Sequence, residues 1–376
     1  MNRIETDHET GAEIFQLTDG DQAFDNIGNE QPCSDSTATR IAVRSGVEGI
    51  GDDTPSVFIS TVDLESGKLH PLWETASLFP GTPCWGDHIY GLRVIRGRRM
   101  ICRTHFHTFE EEKLYAFPEG YRLCSLLTID PEGRFCATAV SHGPWAGDIL
   151  LIDLHEQTLR VLYSDDQHHL SLAQFSSDGN HLISFVATPQ NFVRKGVRIG
   201  VLSAHRETGP DWLPFGPPHT HRCTGHNVWL PDKNKVLASC RYAEDVGGSL
   251  FAARAGDPRP RILGKCHTFF AHVSVSRCGR FWVADGYAES TTPIYVGSMK
   301  GGNYRRLVHS QTAFRGPQES HTHPYLTADN RWLIYTSSRS GRPHVYAATV
   351  PPGFLDGLLA EARTENRRRR DEQAAG

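Results

Sequence analysis

TADNRWLIYT (residues 327–336) sets an Asp-Asn turn directly before an apolar run, and its recurrence decides the fold. Six further stretches share the arrangement: SDSTATRIAV (34–43), VIRGRRMIC (94–102), DPEGRFCATA (130–139), SSDGNHLISF (176–185), LPDKNKVLAS (230–239) and SRCGRFWVAD (276–285). Seven copies about 36 to 60 residues apart match the period of propeller blades. The Asp-Gly, Glu-Gly and Gly-Gly turns supply the positive φ angles that tight hairpins need.

Outward from each copy lies more strand. VFISTVDLESGKLHPLW (57–73), DILLIDLHEQTLRVLY (148–163), SLFAARAGDPRPRILG (249–264) and IYVGSMKGGNYRRLV (294–308) each read as two further strands. Four short strands per repeat make one blade, so the expectation is all-β: a seven-bladed β-propeller with four-stranded blades. A β-sandwich does not repeat a four-strand unit seven times. The last copy ends after its third strand, HVYAATV (344–350), while EIFQLT (13–18) opens the chain without a partner. That N-terminal strand is expected to complete the last blade and remove a free sheet edge. The propeller then occupies 1–352 as one domain. The tail, 353–376, reads as a short helix and a frayed charged end, with Arg367 to Arg370 solvated.

The chain has 376 residues, 38% hydrophobic and 22% charged, with a net charge of −4. That balance gives no reason to expect nucleic acid as a partner. No signal-peptide core and no run of 18 apolar residues occurs, so the expected compartment is the cytoplasm, away from membranes. Nine cysteines without a C-x-x-C pair read as reduced thiols.

The histidines fall in phase with the repeat. Six residues before the turn positions Asp232, Cys278 and Asp329 stand His226, His272 and His323, where the third and fourth repeats hold Leu126 and Leu172. This slot opens the innermost strand of its blade, and innermost strands converge on the axis. In GPQESHTHPY (316–325), His321 and His323 have the i, i+2 spacing that puts both side chains on one strand face. Gln318 on the entering loop adds an oxygen. Neutral imidazoles suit divalent first-row metals, and a set without carboxylates leaves the ion its full charge for an anionic ligand. His219 and His221 share the spacing outside the phased slot and read as a loop feature, with His267 nearby. His105, His107, His168 and His169 read as ordinary surface or core histidines. No H-E-x-x-H, G-x-S-x-G or P-loop pattern occurs.

GPQESHTHPYLTADNRWLIYTSSRSGRPHVY (316–346) resembles the C-terminal metal-site motif of oligogalacturonate lyases, pectin-degrading seven-bladed propellers. AHVSVSRCGRFWVADG (271–286) is similar to the segment holding another metal-ligand histidine of that family. GHNVWLPDKNKVL (225–237) is similar to the segment holding its catalytic histidine, and TGAEIFQLTDGDQ (10–22) resembles its opening. The resemblance implies a lyase that breaks the glycosidic bond of small uronate oligosaccharides by β-elimination. It implies that His272, Gln318, His321 and His323 bind a divalent ion of the manganese type. It further implies that His226 is the base and that Arg198, or alternatively Arg194, serves catalysis and substrate binding. The chain departs from the family in FDNIGNEQPCSD (24–35) and SFVATPQNFV (184–193), which leaves a different uronate-containing saccharide open. Competing readings are a non-enzymatic TolB-like binding propeller and a metal-dependent propeller hydrolase or lactonase. Oligomeric state is open.

Overall fold

The computed structural model describes the chain except residues 28–29, 47–56, 76–80, 82–84, 126, 207, 232, 244–247, 265, 267, 288–290, 313–319 and 376. Seven antiparallel sheets follow one another along it, as the repeat predicts. The inner strands include His168–Phe175 in blade four, Cys223–Leu230 in blade five, Phe270–Val275 in blade six and Tyr325–Leu326 in blade seven. The second strands of these blades are Leu182–Pro189, Lys235–Ala243, Phe281–Gly286 and Trp332–Ser337, each the apolar run that follows its turn. In blade seven, Glu13–Gln16 pairs with His344–Thr349 as the fourth strand, closing the ring as expected. Asn2–Thr6 then adds a fifth strand outside it, which the sequence reading left unassigned.

Blade two is phased differently from its sequence reading. VIRGRRMIC is the hairpin between the second strand, His88–Ile95, and the third, Arg98–His105. Gly81 bridges Tyr90 on the opposite edge and takes the inner position. The Phe106 N–H donates to the Asp87 carbonyl, the bond that Leu154 makes to Arg134 and Ala204 makes to His181 in blades three and four. A polar turn between two apolar strands has the same pattern in either hairpin of a blade, so hydropathy alone could not phase it.

Apolar side chains fill every gap between neighbouring blades. Val186, Ile199 and Val201 of blade four meet Trp229, Val236 and Phe251 of blade five. Ile41, Val43 and Val62 of blade one meet Tyr325, Ile334 and Val345 of blade seven, so the first and last blades share one core. The C-terminal helix, Phe354–Ala375, lays Phe354, Leu358 and Leu359 on Leu307 and Val308 of blade six. It stays helical where a frayed end was expected. No helix among the described residues is long and apolar enough to cross a membrane.

Candidate metal centre

The phased slot works because the inner strands break their ladders there. Pairing shifts between Ser171 and Gln174 in blade four, between Cys223 and Asn227 in blade five and between Phe270 and Val273 in blade six. Such a bulge frees a residue from the ladder and re-aims its side chain. Gly225, at φ 98°, gives the blade-five bulge a conformation closed to most other residues. In blade seven it is the slot residue itself, His323, that takes a positive φ, 38°. Asn26 of blade one holds it there: its amide donates to the His323 carbonyl (2.8 Å), while Thr336 bonds both the Asn26 side chain and its backbone N–H.

The blade-six bulge and the turn ahead of the inner strand of blade seven bring His272, His321 and His323 together. One ring nitrogen from each lies within 4.8 Å of the other two. Ring centroids are 4.2 Å apart for His272 and His323 and 5.2 Å for His272 and His321. Asp285, fully buried, accepts the His272 backbone N–H at 2.9 Å, lies 2.7 Å from its Nδ1 and takes the Thr322 hydroxyl. This contact fixes the tautomer and leaves Nε2 of His272 to act as a ligand. Burial holds the Asp285 carboxyl back from ionising, but the facing His272 and the Thr322 bond outweigh it, and its pKa falls below the usual range. Burial and then the facing His272 push His321 down to about 4, and His323 falls well below the ordinary imidazole value for the same reasons. Both are therefore neutral at pH 7. Nε2 of His323 is buried with no hydrogen-bond partner among the described residues. Three converging imidazoles, two of them held neutral, around an unsatisfied buried nitrogen fit a divalent first-row cation.

His226 stands beside this set, its ring centroid 4.5 Å from that of His272. Its side chain retains 28% exposure, enough to meet a molecule in the channel. Nδ1 lies 2.6 Å from Oε1 of Glu30, whose side chain is 1% exposed. Burial alone would lower the His226 pKa, but the Glu30 charge and hydrogen bond outweigh it, so the pKa rises. Sequence reasoning missed Glu30 because it is distant in the chain and sits in FDNIGNEQPCSD, where the family pattern is lost. The structure explains how it arrives. Asp25 makes a buried ion pair with Arg44 at 2.7 Å, and the chain then turns through positive φ at Ile27 and Glu30. Asp285 was the other omission. Its only sequence signal is its distance of 13 residues from His272, at the far end of a hairpin.

Arg198 begins the third strand of blade four, its guanidinium 3.7 Å from the Trp212 ring centroid. Arg194 is exposed on the short helix Phe192–Lys195 just before it. Both lie on the face where inner strands begin, but neither belongs to the histidine cluster. Gln318, His267, Leu126 and Asp232 lie outside the described residues. His219 and His221 are exposed on the loop leading into blade five. His107 bonds Asp35 and His168 bonds Asp165. A second grouping of Asp130, Glu132 and His181 lies in the turns of blades three and four, at the opposite end of the ring.

Fold and site together define a seven-bladed propeller with a cluster of histidines contributed by blades five, six and seven. No family model matches the chain. It is 26% identical over 149 residues to the oligogalacturonide lyase of Pectobacterium atrosepticum, a match spanning 34% of this chain and 37% of that protein. An oligogalacturonate lyase solved in complex with manganese superposes with a TM-score of 0.75 at 18% identity, covering 93% of this chain and 96% of that one. The oligogalacturonate lyase of Vibrio parahaemolyticus gives a TM-score of 0.70 at 15% identity, with the same coverage. The chain therefore resembles the oligogalacturonate lyases locally in sequence and throughout in fold.

Proposed function

We propose that the protein is a metal-dependent lyase that cleaves small oligogalacturonates, or closely related uronate oligosaccharides, by β-elimination. The observation that carries this reading is the pairing of a carboxylate-held imidazole, His226 with Glu30, against three converging imidazoles spaced to hold one cation.

The reaction must remove the C5 proton beside a uronate carboxylate and expel the oxygen on C4. A divalent ion, manganese being the expected one, held by His272, His321 and His323 with Gln318 as the further expected ligand, would supply positive charge to that carboxylate and acidify the C5–H bond. Glu30 accepts the Nδ1–H of His226 and leaves Nε2 as the base, the tautomer that proton abstraction requires. The Glu30 charge also stabilises the imidazolium formed when the proton arrives. Arg198, or Arg194 near it, offers a guanidinium to a substrate carboxylate on the rim. The altered loop that carries Glu30 favours keeping a related uronate saccharide as the alternative substrate. Cytoplasmic action remains the expectation, supported by the described cysteines all being free thiols.

The test is incubation with Mn²⁺ and di- or trigalacturonate, following ultraviolet absorbance of a new C4–C5 double bond and its keto product, with a chelator control. Turnover lost on chelation and restored by Mn²⁺ supports the reading. Absence of any unsaturated product across uronate oligomers overturns it.

A further inference from the structure

On the lyase reading the histidine cluster takes the reacting sugar, and an oligosaccharide must also rest its neighbouring units on the protein. Blades five and six carry matching positions just outside the cluster. Arg241 N–H bonds the Arg222 carbonyl in blade five, and Tyr287 N–H bonds the Phe269 carbonyl in blade six. Phe269 lies three residues before His272, and Tyr287 two residues after Asp285. Two residues of strand span about 7 Å, the scale of one sugar ring. Phe269 and Tyr287 meet edge to face at 5.4 Å, and Tyr287 is 42% exposed. The Arg241 guanidinium lies over both, 4.7 Å from the Phe269 centroid and 5.7 Å from that of Tyr287.

We infer that Arg241, Phe269 and Tyr287 form a binding position for the uronate unit next to the one at the histidine cluster, which rests on the lyase reading. Tyr287, the exposed ring, offers an apolar face to the C–H side of a pyranose, and Phe269 packed edge-on against it leaves little conformational freedom to lose. A guanidinium stacked on rings keeps its N–H edge for a carboxylate, and stacking holds its plane still. Among the described residues Arg241 has no carboxylate partner, unlike Arg93 and Arg103, which are paired with Glu111 and Glu112. The same rim continues into blade four through Arg222, against which Gly196 packs, and the exposed Arg194 and Lys195. This concentration of positive charge suits a polyanionic chain.

The experiment compares wild type, Arg241→Gln, Tyr287→Ala and Tyr287→Phe in the Mn²⁺-loaded full chain. Trigalacturonate kinetics are paired with calorimetric titration of trigalacturonate into the same proteins carrying His226→Ala, which blocks consumption. Expected is a rise in KM of about tenfold for Arg241→Gln and Tyr287→Ala, with a much smaller change in kcat, as for removal of uniform binding. Tyr287→Phe keeps the ring and stays near wild type. Titration then shows weaker binding for the same two variants. Unchanged KM and binding in both overturn the subsite while wild-type turnover leaves the lyase reading standing. If wild type shows no turnover, the lyase reading falls and the titration alone decides whether this rim binds an oligouronate.

Discussion

Asp285→Asn removes a charge without changing side-chain shape, so it isolates what the buried carboxylate does for His272. Oδ1 accepts a backbone N–H, a role the Asn oxygen keeps. Oδ2 faces two groups, the His272 Nδ1 at 2.7 Å and the Thr322 hydroxyl. In the variant an NH₂ stands there. The threonine hydroxyl rotates to accept, and the imidazole relaxes by shifting its proton to Nε2, making Nδ1 the acceptor. A protonated Nε2 cannot bind a cation. Loss of such an outer partner costs about 10- to 100-fold in metal affinity, or about 1.4 to 2.7 kcal/mol. The asparagine is preferred to alanine because alanine would strand buried donors at about 1 to 3 kcal/mol each. Calorimetric titration with Mn²⁺ at pH 7 measures the loss directly, with a thermal melt as the folding control. A folded Asp285→Asn protein that binds Mn²⁺ as tightly as wild type would refute the claim that this carboxylate sets the ligand tautomer.

Other outcomes follow from the same geometry. His226→Ala should lower kcat by about 10² to 10⁴ while Mn²⁺ still binds, whereas His323→Ala should lose the metal; activity and calorimetry together separate them. Glu30→Gln keeps a neutral acceptor but removes the charge that stabilises imidazolium, so kcat should fall by at least about 10²-fold with little change in metal binding. Gly297→Ala would bring a Cβ to 2.2 Å from the Trp282 ring directly across the hairpin. A loss of about 1 to 3 kcal/mol should appear in chemical denaturation. Burial would raise the Asp7 pKa, but its bonds to Arg306 and Thr10 lower it overall. A depressed carboxyl pKa contributes stability above the unfolded value near 3.9 that disappears as pH falls through the folded value. Asp7→Asn should therefore flatten the acid limb of the stability curve, read by melting temperature between pH 5 and 2.

The repeat was legible because each blade is a local object, with its turns and alternating strands lying within one stretch of chain. The blade-two phase was not, because either hairpin of a blade satisfies the same hydropathy. His226, His272 and His323 could be grouped by counting back from their turns, since each stands the same six residues ahead of its turn position. Glu30 could not, because its meeting with His226 depends on the ring closing and on two positive-φ turns that composition does not announce. Asp285 was hidden for a different reason: an aspartate at the end of an apolar strand looks like the start of a loop until the cross-strand pairing is known. Arg198 opens a strand of blade four, and its stacking on Trp212 is a contact between strands that spacing alone cannot give.

The N-terminal strand carries a consequence for synthesis on the ribosome. Glu13–Gln16 is made early, yet its partner within the blade, His344–Thr349, follows more than three hundred residues later. For nearly the whole of translation one edge of the hairpin it forms with Asn2–Thr6 has no partner, and the final blade must wait for it. Vectorial folding can stack the middle blades one on another, but the circle locks only after elongation has passed blade seven, so a stalled or prematurely released chain is a ring with a gap.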